Sequence, residues 1–231
     1  MNERKSMNIS VIKAPELGRR VRINVSSRKG FSDTEIKRHQ SACDLAEIVI
    51  NSLEFKKKVL AHKFTHTVLN SEEVYNTFIA GKETLSKEVD YEMDVVVEIY
   101  EKNNRTVGYT YANTVQTWVN RKFFRQYTLG EIAANLVHEW LHKLGFDHPA
   151  NPTLTRPSSV PYAIGYMVRD LVADYEKGIR YTDLYPTVIR VDDPSSPTPT
   201  KIPVVIPTVE KKRVCYRTWQ SLFLKRVCLY Q

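Results

Sequence analysis

His138-Glu139-Trp140-Leu141-His142-Lys143-Leu144-Gly145-Phe146-Asp147-His148 reads H-E-x-x-H-x-x-G-x-x-H. His138 and His142 are four residues apart, so on a helix they share one face, one turn above the other. That is the separation two imidazole nitrogens need to bind one ion. Zinc takes such nitrogens at about 2.0–2.1 Å, and a catalytic site keeps three protein ligands and leaves the fourth position to water. Glu139 points about 100° around the helix from His138, where it can reach a metal-bound water without being a ligand. Gly145 permits the left-handed turn that ends a helix, after which the chain can return His148 as the third ligand. A chance match of three histidines, a glutamate and a glycine at these spacings is on the order of one in 10⁵ for a chain of this composition. The run is therefore read as a site for one catalytic Zn²⁺ held by His138, His142 and His148, with Glu139 as the general base.

The flanking residues supply the helix. Thr128-Leu129-Gly130-Glu131 has the Thr-x-x-Glu form of a capping box. Leu129, Ile132, Ala133, Leu136, Trp140 and Leu144 follow at helical spacing as one apolar stripe. Glu131, Asn135, His138 and His142 fall on the opposite side, so the histidines face away from the main packing face.

The string resembles the zinc-binding signature of the metzincin clan of metallopeptidases, which also has a methionine-containing turn downstream. The resemblance covers roughly Tyr109 to Tyr175. It implies an α+β fold: a twisted mixed sheet with an antiparallel edge strand, packed on a long helix and on the active-site helix, then a Met-turn and a C-terminal helix. Met167, nineteen residues after His148 and followed by a helical pattern from Val168 to Tyr175, is the candidate for the Met-turn. An ordinary core methionine is the plain alternative. Some members of the clan place a tyrosine two residues after the methionine; Arg169 stands there in this chain. The neighbouring Tyr166 and Tyr162 are the candidates for a transition-state or fifth-ligand role. In the clan an edge strand before the active-site helix pairs with extended substrate, as β-augmentation would have it. Either Gly108-Tyr109-Thr110-Tyr111 or Val115 to Val119 could serve, and either could be an ordinary sheet strand.

The 231 residues, 42% hydrophobic and 26% charged, fit a globular chain with one medium domain and extensions. No stretch approaches a transmembrane span. Met1 to Met7 carries charge but no apolar core of a signal peptide, so the expected address is cytoplasmic or release by a non-classical route. Cys43, Cys215 and Cys228 do not make a disulfide framework. Cys43 reads as a buried small hydrophobe, and Cys215 with Cys228 is a pairing left open.

Arg20 to Val25 alternates like a strand, and Ser32-Asp33-Thr34-Glu35 opens a helix whose apolar positions extend to Leu53. Ser71 to Ile79 reads as a second helix with Gly81 as its stop. Tyr91 to Tyr100 is the best strand, followed by short strands at Val107–Tyr111 and Val115–Val119 around a turn at Ala112-Asn113-Thr114. His62 and His66, also four apart but without a following Glu or a third ligand, read as a solvated helix face. The expected organisation is a catalytic domain over 1–185, a Pro/Thr-rich linker or surface strap over 186–210 and a basic tail over 211–231. The tail holds six of the cations behind the net charge of +8 and no acidic residue. It would dock on its own domain or meet an anionic surface; no specific nucleic-acid motif is present.

Zinc-dependent hydrolysis of a peptide or protein substrate is the function these residues point to. Two other readings use the same residues: a catalytically silent zinc-stabilised binding module, and a zinc hydrolase acting on cell-wall peptides.

Overall fold

A computed structural model describes residues 20–111 and 113–185, together with the backbone of Val214–Arg217 and Arg226–Leu229. The chain divides into two compact units, Met1–Thr187 and Val188–Gln231. The expected strap over 186–210 and most of the basic tail lie outside the described residues.

In the first unit the fold is α+β. It begins with strand β1 (Arg22–Lys29) and helix α1 (Asp33–Ile50). Ser32 caps α1 by accepting from the Glu35 N–H, and the Glu35 carboxylate returns to the Ser32 N–H, which closes a capping box. The helix does not reach Leu53 as its apolar pattern suggests. Asn51 and Ser52 break it. The Asn51 amide bonds both backbone groups of Val21, and the Ser52 hydroxyl donates to Val49 O at 2.6 Å while accepting from the Phe55 N–H. Ser52 thereby starts a new helix, α2 (Leu53–Ala61). Helix α3 (Ser71–Ala80) ends, as expected, on Gly81 in the left-handed conformation.

Strand β2 (Glu92–Tyr100) alternates strictly: Met93, Val95, Val97 and Ile99 are buried and their neighbours are not. Strands β3 (Gly108–Thr110) and β4 (Gln116–Asn120) form a hairpin, and the short helix α4 (Arg121–Gln126) follows from the Asn120 N-cap. The sheet order is β1-β2-β4-β3. β1, β2 and β4 run parallel, whereas β3 pairs antiparallel with β4 and forms an edge. The helices α5 (Leu129–Lys143) and α6 (Val160–Glu176) complete the unit, and α5 packs against α1, α6 and β3. Among the described residues no helix is long and apolar enough to cross a membrane.

In the second unit β5 (Val214–Arg217) and β6 (Arg226–Leu229) pair antiparallel in a register that sets Cys215 opposite Cys228.

Candidate metal centre

Helix α5 is built as its sequence implies. Thr128 accepts from the Glu131 N–H, and Glu131 accepts from the Thr128 N–H at 2.8 Å. At the other end Phe146 N–H bonds Leu141 O and Gly145 N–H bonds His142 O, with Gly145 at φ +90°. These two bonds form a Schellman motif, and the buried side chains of Phe146 and Leu141 are its accompanying apolar pair. The turn reverses the chain within one residue of the helix end. His148 is thereby carried back over His138 and His142.

The three imidazoles converge. One ligand atom from each lies within 4.8 Å of the other two, and Nε2 of His138 stands 3.2 Å from Nε2 of His148. Each ring is anchored on a backbone carbonyl: His142 Nδ1 on Phe146 O at 2.9 Å, His148 Nδ1 on Pro149 O at 3.1 Å, and His138 on Pro161 O. For His142 and His148 these bonds fix the proton on Nδ1 and leave the Nε2 lone pair for a metal. Burial pushes all three pKa values below the ordinary histidine range, His138 furthest, so the rings are neutral near pH 7. At 3.2 Å the Nε2 atoms of His138 and His148 are close enough to share either a proton or an ion. Nitrogens about 2.0–2.1 Å from a tetrahedral ion stand about 3.4 Å apart, so the spacing fits zinc.

Glu139 is 5% exposed. Its Oε1 accepts from Asn135 Nδ2 at 3.2 Å, one turn back on the same helix. Burial raises its pKa to about 8, opposed by the Asn135 bond and by the charge of Lys143. A divalent ion beside it would favour the carboxylate further.

Helix α6 floors the site. Its Gly165 allows close approach: a Cβ there would lie 3.2 Å from Ala134 O and 3.6 Å from the His138 Cβ. The Tyr162 ring packs on His138 and His148, with centroids at 4.6 and 4.7 Å. Its hydroxyl is bonded by the Arg156 guanidinium, which also lies over the ring. Tyr166 sits one turn on, 5.9 Å from the Tyr162 ring and beneath Arg169, so of the two tyrosines it is Tyr162 that touches the histidines.

Met167 requires a correction. It lies in the middle of α6, not in a turn, and packs against the core. Ser159 stands at the N-cap and Pro161 in the first turn, where its fixed φ favours helix, so the helix begins seven residues before Met167. His62 and His66 are also placed differently. His62 ends α2 and packs on Phe64, whereas His66 is in a loop at φ +59° with Nε2 3.0 Å from Thr155 Oγ1. They share no helix face.

Gly108, Tyr109 and Thr110 form the edge strand, and Tyr111 follows it. Val115 to Val119 corresponds to β4, an interior strand paired on both sides. β3 runs beside α5 so closely that a Cβ on Gly108 would lie 2.9 Å from Asn135 Oδ1. The helical pattern puts Asn135 on the polar side of α5, and its position four residues before Glu139 is the signal for its contact with that carboxylate. Arg156 carried no signal in the sequence. Cys43 is buried, with Sγ 3.4 Å from His39 Nδ1, and is not among the three residues that converge here. No family model, curated protein or solved structure matches the chain.

Proposed function

We propose that the chain is a zinc-dependent metallopeptidase of metzincin-like construction, which cuts peptide bonds with water. The observation that carries this is the convergence of three neutral imidazoles, anchored on carbonyls, next to a buried carboxylate that is not one of the three. Zinc held by His138, His142 and His148 would supply Lewis acidity and a bound water with a pKa of about 7.

Glu139 accepts a proton from water and delivers it to the leaving amine. Asn135 holds the Glu139 carboxylate in one orientation through its Oε1, leaving Oε2 for the proton. Tyr162, whose ring packs on His138 and His148 and whose hydroxyl is steadied by Arg156, is the better candidate of the two tyrosines for meeting a developing oxyanion. Substrate would lie along the open edge of β3, where extended peptide can gain backbone hydrogen bonds next to the helix that carries the base.

The test is digestion of a diverse peptide library by the zinc-loaded chain, with and without a hydroxamate. Cleavage blocked by the hydroxamate is expected. Absence of cleavage with one zinc bound per chain would favour the silent module, and cleavage confined to cell-wall peptides would reassign the substrate.

A further inference from the structure

The segment between α3 and β2, together with the start of β2, holds a group of carboxylates apart from the histidines. Oxygens of Glu83, Asp90 and Asp94 all lie within 4.8 Å of one another. Gly81 permits this. A Cβ there would sit 2.6 Å from Asp90 Oδ1 and from the backbone of Glu92, so the turn closes on Asp90 only because that position is bare.

Part of the group's hydrogen bonding is satisfied. Asp90 Oδ1 accepts from the Glu92 N–H at 2.9 Å, and Asp94 Oδ1 accepts from Asn24 Nδ2 at 3.1 Å. Glu83 Oε1 accepts from Trp140 Nε1 at 2.6 Å and from the Asp94 N–H at 3.2 Å. Glu83 Oε2 is different. The residue is 5% exposed, and this oxygen is buried with no hydrogen-bond partner. A buried carboxylate oxygen without a donor is disfavoured unless a proton or a cation meets it, and burial does push the Glu83 carboxyl above its ordinary range, so an ion bound here displaces a proton.

The buried cation facing the group is Lys143. Its ammonium donates to Val115 O, and its charge acts on Glu83 and Asp94 from beyond ion-pair distance. One such charge does not balance three carboxylates. An all-oxygen donor set selects hard ions over zinc. With three carboxylates on the chain and Asp90 only partly buried, so that water can complete the shell, the group suits the flexible six- to eight-oxygen shell of calcium better than magnesium, which is usually held by one or two carboxylates.

We propose that Glu83, Asp90 and Asp94 bind a Ca²⁺ ion, separate from the histidine centre. Through Glu83 and the Trp140 indole this ion braces the entry to β2 against α5, one residue from Glu139. The proposal does not depend on the peptide chemistry proposed above.

Terbium is the direct probe, because Trp140 is hydrogen-bonded to one of the ligands and can sensitise its emission. The full chain, loaded with zinc, is titrated with Tb³⁺ under tryptophan excitation and then with Ca²⁺ or Mg²⁺. Saturable emission displaced by Ca²⁺ at lower concentration than by Mg²⁺ is expected, as is a rise of a few degrees in Tm with Ca²⁺. The Asp90→Asn and Asp94→Asn double variant should lose at least about tenfold in Tb³⁺ affinity and lose the Tm response, with zinc content unchanged. Asp90→Asn alone, at a partly exposed position, should weaken Tb³⁺ in a chain that folds normally. No emission, emission unchanged in both variants, or a Tm indifferent to millimolar Ca²⁺ would overturn the proposal. Equal displacement by Mg²⁺ would overturn the choice of calcium.

Discussion

Asn135 donates its amide to Glu139 across 3.2 Å, and the same amide is overlain by the bare Cα of Gly108 in the edge strand. The proposed base is thus oriented by its own helix. The strand proposed to carry substrate is held against the residue that orients it.

Glu139→Ala should keep zinc and lose hydrolysis. Loss of a general base typically removes about 10²–10⁴ of rate, and none of the three imidazole ligands is touched. Metal analysis and kcat/KM on one cleaved peptide check this together. Activity within about tenfold of the parent would rule out the assigned role.

Asn135→Ala should lower kcat by roughly tenfold with little change in KM or zinc affinity, because a positioning bond acts on the transition state and not on binding. Asn135→Asp retains shape and an acceptor but loses the donor, so it should not rescue. A fall in zinc content in either variant would mean the residue supports the metal ligands instead.

Gly130→Ala should destabilise the fold, against the usual trend. In an exposed helix the change gains up to about 1 kcal/mol. Here a Cβ would lie 2.8 Å from Arg169 O on α6, a backbone atom that cannot swing aside. A net loss of about 1–3 kcal/mol is expected from urea unfolding, with α6 displaced.

His39 should make stability fall below neutral pH. The ring is 2% exposed, accepts from Arg28 Nε at 3.1 Å, and is held to a pKa of about 4, chiefly by burial and then by the Arg28 charge. In the unfolded chain the same ring takes its proton near pH 6.5. Between these values the unfolded state binds more protons, so stability declines as pH drops from about 6.5 to about 4 and then levels. The full effect is on the order of 3 kcal/mol. His39→Gln should flatten that part of the profile; an unchanged slope would show that another group sets it.

The elements that could be read from the sequence are those fixed by neighbouring residues. The capping box at Thr128 and the Gly145 stop involve partners within five positions, the Gly81 stop needs only that residue's own left-handed backbone, and all three stand at the expected positions. The break at Asn51-Ser52 was missed because the apolar period runs through it. What decides it is the bonding of Asn51 to Val21, thirty positions away. The Met-turn expectation for Met167 rests on likeness to a clan pattern, whereas the local signal, Pro161 behind Ser159, marks the helix start. Glu83 was not visible at all: its partner Trp140 lies 57 positions away, and a lone glutamate in a loop gives no sign of a buried carboxylate.

All three proposed zinc ligands lie within the eleven residues from His138 to His148, closed by a Schellman turn that needs no distant partner. The entropy of bringing such near neighbours together is small. If zinc binds there, the unfolded chain would retain part of the native affinity for it. Zinc would then stabilise the fold by less than its binding constant alone implies, since metal held by the denatured ensemble offsets metal held by the native one. The same locality would let the ion gather its ligands early in folding, before the parallel pairings of the sheet have formed.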